Sequence, residues 1–309
     1  MLRLISGRSG SGRSYTVTEE IRALVKAAKE SLAANGSACY LIVPEQMSFE
    51  TEKRLMEALG EADAAHVRVW SFTRMAERLL PSTSRSISVG ARVMLMGKAL
   101  SETADFLEIF KTNGAQGDVV SSLLQIAAEC KQAGVLPEAM QEAAASLPAG
   151  ILSQKVEELS RILTVYDALL SLCGEDTRDT ADRLAEWLRE NRALSGAAIF
   201  ADGFKSFTAP EMQVLEALMA QADAVTVTLC TDRLQDDSGG LDRFSVVMET
   251  ARRLKTAAAR VGCQVAPVEH LFDAHRFEKP SLAVLEATED GCVFRGVTCV
   301  APGDNGDGS

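Results

Sequence analysis

The sequence opens with the apolar segment Leu2-Arg3-Leu4-Ile5-Ser6, which runs directly into Gly7-Arg8-Ser9-Gly10-Ser11-Gly12-Arg13-Ser14. Residues 7–14 are called the glycine-rich loop below. The loop fits the phosphate-binding pattern G-x-x-x-x-G-K-[ST] everywhere except at the lysine, where this chain has Arg13. Its glycines let successive backbone N–H groups point at one anion, and the helix predicted from Tyr15 adds its positive N-terminal end. The pattern predicts a site for the phosphates of a nucleotide such as ATP.

Two positions of the loop bear on what happens to that nucleotide. Ser14 stands where the hydroxyl of this pattern meets Mg²⁺. Arg13 is longer than lysine, planar and forked, so its charge does not occupy the same place. The sequence therefore favours nucleotide binding over nucleotide turnover. The alternative interpretation is a Gly/Ser turn between strand and helix that binds no ligand.

The composition is that of a soluble globular protein of one large or two modest domains: 309 residues, 47% hydrophobic and 24% charged. No apolar run approaches the roughly 20 residues that a membrane span needs, and the apolar start is too short for a secretory signal. We therefore expect a cytoplasmic protein with no membrane partner.

The seven cysteines include no C-x-x-C pair, which argues for free thiols rather than a disulfide framework or a zinc ribbon. His270 and His275 have no cysteine close by, and a solvated loop explains them better than a metal site.

The net charge of −11 argues against a nucleic-acid partner, but its distribution weakens that argument. Residues 1–85 carry 12 Lys and Arg against 10 Asp and Glu, so the acidic excess lies in residues 86–309. A local basic groove beside the glycine-rich loop is therefore compatible with an acidic chain.

Five apolar stretches predict buried strands, because each is short, partly β-branched or aromatic, and free of strict alternation. They are Leu2–Ser6, Ala38–Pro44, Val67–Phe72, Ala197–Ala201 and Ala224–Cys230. Helical patterns at Tyr15–Ala34, Phe49–Leu59 and Pro210–Gln221 separate most of them. Alternating strands and helices predict an α/β fold with a parallel sheet.

Between Val89 and Arg192 there is no strand candidate. Amphipathic runs such as Val119–Ala133 and Leu152–Leu172 predict helices instead. We expect an all-α subdomain inserted into the α/β domain; the alternative is a set of surface helices on the same sheet. The last nine residues, 301–309, are polar and glycine-rich, and we expect them to be disordered and the chain to be part of something longer.

A nucleoside triphosphatase also needs a carboxylate at the end of a strand to hold Mg²⁺, and usually a neighbouring group that handles the attacking water. Asp202 follows the predicted strand Ala197–Ala201, but the next residue is Gly203. The sequence thus supplies a metal ligand without an adjacent base. A simple turn after a strand explains Asp202-Gly203 equally well.

Four segments in this order carry a family resemblance: Gly7–Ser14, Leu41–Glu52 with its Pro-Glu-Gln-Met-Ser-Phe stretch, Val69–Ala76, and Ala201–Glu211. Together they resemble the N-terminal part of AddB (RexB), a subunit of AddAB-type bacterial helicase–nucleases, over about residues 1–300. The resemblance implies a P-loop, RecA-like fold of the superfamily-one helicases. It places the α/β domain at residues 1–86 and 195–300, the inserted helical subdomain at 87–194, and the tail at 301–309.

The resemblance also implies a function. In this family the subunit is a helicase relative without motor function that binds duplex ends and single-stranded DNA and recognises a recombination hotspot during double-strand-break repair. An AddA-like partner drives unwinding. The iron–sulfur cluster and nuclease of the family would lie beyond residue 309, so neither is assigned to this chain.

The family positions that contact hotspot bases match Gln46, Ser48, Phe72, Arg74 and Phe204. Gln46 can pair bidentately with a base edge, and Ser48, where threonine is frequent, can donate or accept a hydrogen bond. Phe72 and Phe204 offer flat faces to unstacked bases, and Arg74 can read guanine or hold a phosphate. The alternative is that both phenylalanines are core residues and Arg74 is a solvated helix residue.

Two other functions fit parts of the sequence. The glycine-rich loop and Asp202 are also compatible with a stand-alone P-loop ATPase or small-molecule kinase. The long amphipathic runs are compatible with a scaffold that binds a partner protein.

Overall fold

The structure, a computed structural model, describes residues 1–30, 39–81, 87–111, 117–173, 180–234 and 243–272. The tail predicted to be disordered at 301–309 and His275 lie outside these residues. The described chain divides into two compact units. The sheet unit comprises Met1–Ser71, Leu194–Ser206 and the chain from Met219, and the helical unit comprises Phe72–Ala193 and Phe207–Leu218. The domain limits expected at residues 86, 194 and 300 stay a prediction.

The sheet unit is built on six parallel strands among the described residues: β1 (Leu2–Gly7), β2 (Cys39–Ile42), β3 (Val67–Trp70), β4 (Ala198–Ala201), β5 (Ala224–Cys230) and β6 (Glu269–Leu271). Their order across the sheet is β3-β2-β4-β5-β1-β6. The predicted α/β class with a parallel sheet is confirmed, and the arrangement is consistent with a RecA-like fold.

The first strand lies inside the sheet, between the last two. β1 pairs along its whole length with β5, from Leu2 beside Val225 to Gly7 beside Cys230, and on its other side with β6. β1 and β5 are buried along most of their length, which fits sequences made mostly of apolar and β-branched residues. Because all strands are parallel, the loops after β1, β4 and β5 emerge at the same edge of the sheet.

Four described helices belong to the sheet unit. They are α1 (Arg13–Glu30), α2 (Ser48–Leu59), α3 (Glu61–Ala64) and α11 (Ser245–Arg260), and a 3₁₀ turn at Glu45–Met47 precedes α2. The apolar face of α1 packs on the sheet through Val17, Ile21 and Val25. Burial raises the pKa of the Cys39 thiol, in the same core, to about 12.

The helical unit has its own core. Its helices are α4 (Phe72–Leu79), α5 (Val89–Thr103), α6 (Gly117–Ala133), α7 (Pro137–Ser146), α8 (Ile151–Cys173), α9 (Thr180–Asn191) and most of α10 (Ala209–Met219), with a 3₁₀ turn at Ala104–Phe106. Met96, Leu123, Ile162 and Tyr166 are among the fully buried residues at its centre. The prediction that Val89–Arg192 holds no strand is confirmed for the described residues.

A buried carboxylate fastens the segment after α5 to α8. Glu158 of α8 accepts hydrogen bonds from the backbone N–H groups of Glu108 at 2.9 Å, Ile109 at 3.0 Å and Phe110 at 3.0 Å. Burial alone would raise the pKa of Glu158, but these N–H groups and Gln154 stabilise the charged form. The pKa therefore lies below its ordinary value of 4.5.

Two sequence-based expectations are wrong. The strand predicted through Phe72 ends at Trp70, and Phe72 begins α4 after Ser71, a residue type favoured immediately before helices. His270, expected on a solvated loop, lies in β6 with its Nδ1 2.6 Å from Ser6 Oγ. A three-residue edge strand is too short to produce a periodic pattern.

None of the helices in the described ranges has the length and apolarity to cross a membrane.

Candidate functional site

The glycine-rich loop connects β1 to α1 through a backbone that only glycine adopts readily. Gly10 and Gly12 have φ of 86° and 88°, in the left-handed region. The N–H of Ser11 donates to the Arg8 carbonyl at 3.2 Å, and the N–H of Thr16 donates to the Gly12 carbonyl at 2.8 Å, which starts α1. The loop therefore delivers the N-terminal end of an 18-residue helix to the edge of the sheet.

Gly7 and Ser11 fit against each other at the base of the loop. A Cβ on Gly7 would overlap Ser11 Oγ and lie 2.8 Å from the carbonyl oxygen of Leu271. Ser11 is 4% exposed, and its Oγ has no hydrogen-bond partner within the described part of the protein. A buried hydroxyl without a partner is costly unless a ligand satisfies it. The unpartnered hydroxyl of Ser11 thus points, independently of the loop pattern, to a ligand with acceptor oxygens.

A cleft of about 960 Å³ opens over the loop, entirely within the sheet unit. Its lining comes from the loop and α1, from the 3₁₀ turn and α2, from the segment after β4, and from β5 itself. The residues are Ser9, Gly10, Ser11, Gly12, Arg13, Ser14, Tyr15, Met47, Arg54, Asp202, Gly203, Phe204, Lys205, Thr228 and Cys230. The fold thus brings together the loop, Asp202 and Phe204, which are far apart in the sequence.

Asp202 is held in a defined position after β4. Its backbone N–H donates to the carbonyl of Ile42 at 3.0 Å, and Thr228 Oγ1 of β5 donates to its Oδ1. Ser14 lines the same cleft. A hydroxyl and a carboxylate are oxygen ligands that suit Mg²⁺, which keeps several waters of its own. Among the described residues there is no cluster of three or more His, Cys, Asp or Glu that would form an all-protein metal site.

The charge of the cleft is opposite to that of the whole chain. Arg13, Arg54 and Lys205 line it, and Asp202 is the one carboxylate among its described lining residues. Arg8 of the loop does not line the cleft, and its guanidinium lies 3.9 Å from the Asp232 carboxylate. A polyanion therefore meets a local excess of positive charge even though the chain carries −11.

Three of the predicted DNA-contacting residues belong to the sheet unit. Gln46 is exposed on the 3₁₀ turn, and Phe204 is half-buried in the lining of the cleft. Ser48 begins α2 and is buried, and its Oγ has no partner within the described ranges. Gly203, with φ of 85°, lets the Phe204 segment lie against Met47: a Cβ there would be 3.0 Å from the Met47 sulfur.

The other two predicted DNA-contacting residues belong to helix α4 of the helical unit. Phe72 is 7% exposed, and its ring meets Phe207 edge-on, with centroids 6.2 Å apart. Arg74 is half-buried. The Phe72 ring is thus packed as a core residue in this structure, whereas the Phe204 ring reaches a cleft.

Sequence reasoning did not identify several lining residues, chiefly Tyr15, Arg54, Lys205 and Thr228. Thr228 had a weak indication, since it is one of two threonines in the otherwise apolar strand β5. Arg54 had none, because its place in the cleft depends on how α2 packs and not on a local pattern.

Comparison with known proteins gives a consistent result. The family model ADDB, N-terminal matches residues 4–286. Relatives named as the B subunit of an ATP-dependent helicase/deoxyribonuclease occur in Clostridium kluyveri (29% identity over 84% of this chain), Thermoanaerobacter sp. (30% over 82%) and Clostridium tetani (31% over 82%). The chain spans 22% of the length of each of these relatives.

Proposed function

Since the chain belongs to the ADDB, N-terminal family, we propose that it is the DNA-binding, helicase-like part of the B subunit of an ATP-dependent helicase/deoxyribonuclease. In this proposal it acts in double-strand-break repair and recombination-hotspot recognition. An AddA-like protein supplies the motor. The chain itself binds single-stranded DNA and duplex ends.

The observation that carries the proposal is the shared cleft. The glycine-rich loop, three cations and the half-buried ring of Phe204 line one cavity. Cations and N–H groups bind phosphate oxygens, and an aromatic face supports a stacked base, so the cleft offers what a nucleotide or an unpaired strand requires.

The same lining supports ATP binding without turnover. Ser14 and Asp202 would hold Mg²⁺, and the loop N–H groups, Ser11 and Arg13 would hold the phosphates. The magnesium ion would neutralise charge between phosphate oxygens. Asp202 is fixed by Thr228, and the described lining contains no second carboxylate to orient an attacking water. This arrangement favours a site that binds ATP over a site that hydrolyses it.

Fluorescence anisotropy with labelled single-stranded DNA tests the DNA-binding function. We expect affinity to fall steeply as salt rises, because phosphate contacts release counterions. Phe204→Ala should weaken binding by about tenfold, in line with the loss of one stacked base. Phe272→Ala is the matched control, since Phe272 is 84% exposed in the same unit and does not line the cleft. Absence of binding at low salt, or equal affinities for the two variants, would contradict the proposal.

An ATPase assay separates this function from that of a stand-alone P-loop enzyme, which the presence of Ser14 and Asp202 in one cleft keeps as the second candidate. We expect no sustained phosphate release from ATP and Mg²⁺ by the chain alone. Turnover that disappears in Ser14→Ala would instead support the ATPase or kinase.

Co-purification with an AddA-like protein tests the proposed partner.

A further inference from the structure

We propose that Arg54 is a second guanidinium for the phosphate tail of the bound nucleotide, acting together with Arg13. The inference rests on the proposed nucleotide site and adds to it a residue that lies outside the glycine-rich loop. It specifies how this chain binds phosphate with arginine where the loop pattern calls for lysine.

The position of Arg54 is the first argument. Arg54 lies on α2, a different element from the loop, yet it lines the same cleft as Ser9–Ser14. Two forked guanidinium groups from two elements can each bind a pair of phosphate oxygens, whereas a lysine acts as a point charge. An arginine on α2 therefore adds directional contacts that Arg13 alone does not supply.

The second argument is that Arg54 can turn toward a ligand at small cost. Its Nε lies 3.4 Å from Glu50 Oε1, one helical turn away, and its side chain is 56% exposed. Exposed pairs of this kind contribute little to stability, so exchanging Glu50 for a phosphate loses little. Arg8, by contrast, has a side chain that is 19% exposed and lies beside Asp232.

The third argument is the independent indication that the cleft holds an anionic ligand. Ser11 Oγ is buried without a partner in the described structure and lines the cleft together with Arg54. A ligand that satisfies Ser11 with one phosphate brings its remaining phosphates into a cavity that already contains Arg13 and Arg54. Affinity should consequently depend on Arg54 more strongly for ATP than for AMP.

Isothermal titration of the whole 309-residue chain with ATP and with AMP, each with Mg²⁺, tests the inference. We expect Arg54→Ala to weaken ATP binding by about tenfold or more, the loss typical of a charge-assisted hydrogen bond, and to change AMP binding much less. Arg54→Lys keeps the charge but not the fork, and should give an intermediate ATP affinity.

Lys53→Ala is the matched control. Lys53 is the neighbouring residue on α2, its side chain is 60% exposed, and it pairs with Glu57 at 3.9 Å, but it does not line the cleft. Its ATP affinity should equal that of the wild type. Unchanged ATP affinity in Arg54→Ala, with normal binding by the wild type, would overturn the inference and leave the proposed function intact. Failure of the wild type to bind ATP would instead overturn the nucleotide site, and this inference with it.

Discussion

Gly7 shows how a single missing side chain shapes the site. Its Cα lies where β1 ends, and the space that a Cβ would fill is occupied by Ser11 Oγ and approached by the Leu271 carbonyl. Glycine is required here by close packing, whereas Gly10 and Gly12 are required by their positive φ. The motif thus uses its glycines for two different physical reasons.

Gly7→Ala should therefore destabilise the protein by about 1–3 kcal/mol, the usual cost of overpacking, and abolish ATP binding. Gly97→Ala is the opposite case: Gly97 lies within α5 with nothing within 4 Å of an added Cβ. That change should raise stability by about 0.4–1 kcal/mol. Urea unfolding of both variants measures the contrast, and a neutral Gly7→Ala would contradict the close packing at the base of the loop.

Thr228 offers a second test at residue scale. Thr228→Val keeps the shape of the side chain but removes the hydroxyl that donates to Asp202. We expect the Mg²⁺-dependent part of ATP affinity to fall roughly threefold to tenfold, the loss of one hydrogen bond, with little change when EDTA is present. Thr228→Ser, which retains the donor, should behave like the wild type in the same titration.

The sequence predicted those parts of the candidate site that local patterns encode. The glycine-rich loop is a spacing of residues, and Asp202 is a carboxylate directly after an apolar strand. Arg54 and Thr228 enter the cleft only through tertiary packing, so no local pattern marks them. The same reason separates Phe204 from Phe72. Phe72 ends one predicted strand and Phe204 follows another, yet only the ring of Phe204 lines the cleft, while that of Phe72 packs on Phe207.

At the scale of elements, the segment after α5 depends on one carboxylate from α8. Three consecutive backbone N–H groups, at Glu108, Ile109 and Phe110, find their acceptor in Glu158. Without it these donors would be left unpaired in a partly buried segment, which costs free energy. Glu158 therefore fixes the path of residues 108–110 after α5.

Glu158→Gln should lower the free energy of unfolding of the helical unit by about 1–3 kcal/mol, because a charged acceptor is replaced by a neutral amide. Glu157→Gln is the control, since Glu157 is an exposed neighbour whose pairing with Arg161 contributes little. Hydrogen exchange should show faster exchange at residues 108–110 in the first variant only. Equal exchange in the two would contradict the role given to Glu158.

Because the pKa of Glu158 is lowered, its contribution to the free energy of unfolding depends on pH. Its carboxylate stabilises the fold fully above the ordinary pKa of 4.5, and the contribution is lost as pH falls below that value through the lower pKa of the folded state. The stability difference between the wild type and Glu158→Gln should therefore shrink as the pH is lowered from about 6 toward the acid limit. Urea midpoints at several pH values provide the measurement, and a constant difference would argue against the charge as the cause.

Most elements were predictable because their hydrophobic periodicity is strong. The five predicted strands occur with small shifts at their ends, and the helices α6 and α8 lie where the amphipathic runs are. β6 escaped prediction because three residues, two of them exposed, contain no pattern. Its position is imposed by the unpaired edge of β1.

At the scale of the whole molecule, each compact unit has a hydrophobic core of its own among the described residues. The five cysteines that the structure describes are free thiols, and they differ in depth. Cys39 is buried in the sheet unit and Cys173 is exposed at the end of α8. The rates at which these thiols react with an alkylating reagent therefore report on local and global unfolding of the chain.

Alkylation at a pH of about 8 should label Cys173 quickly and Cys39 very slowly, because the Cys39 thiol is both inaccessible and, with a pKa of about 12, almost entirely protonated. Adding urea should accelerate labelling of Cys39 in parallel with the loss of the sheet. Peptide mass spectrometry resolves the two sites. Rapid labelling of Cys39 in native buffer would contradict its placement in the core.

The place of β1 between β5 and β6 has a consequence for biosynthesis. The glycine-rich loop is translated well before residues 224–230 and 269–271, yet its strand finds its neighbours only when those residues have been made. Pairings so distant along the chain form slowly, and a nascent sheet with an open edge invites aggregation. The loop thus waits for strands made much later, and translation of the two strands that flank β1 sets the earliest moment at which ligand could be captured.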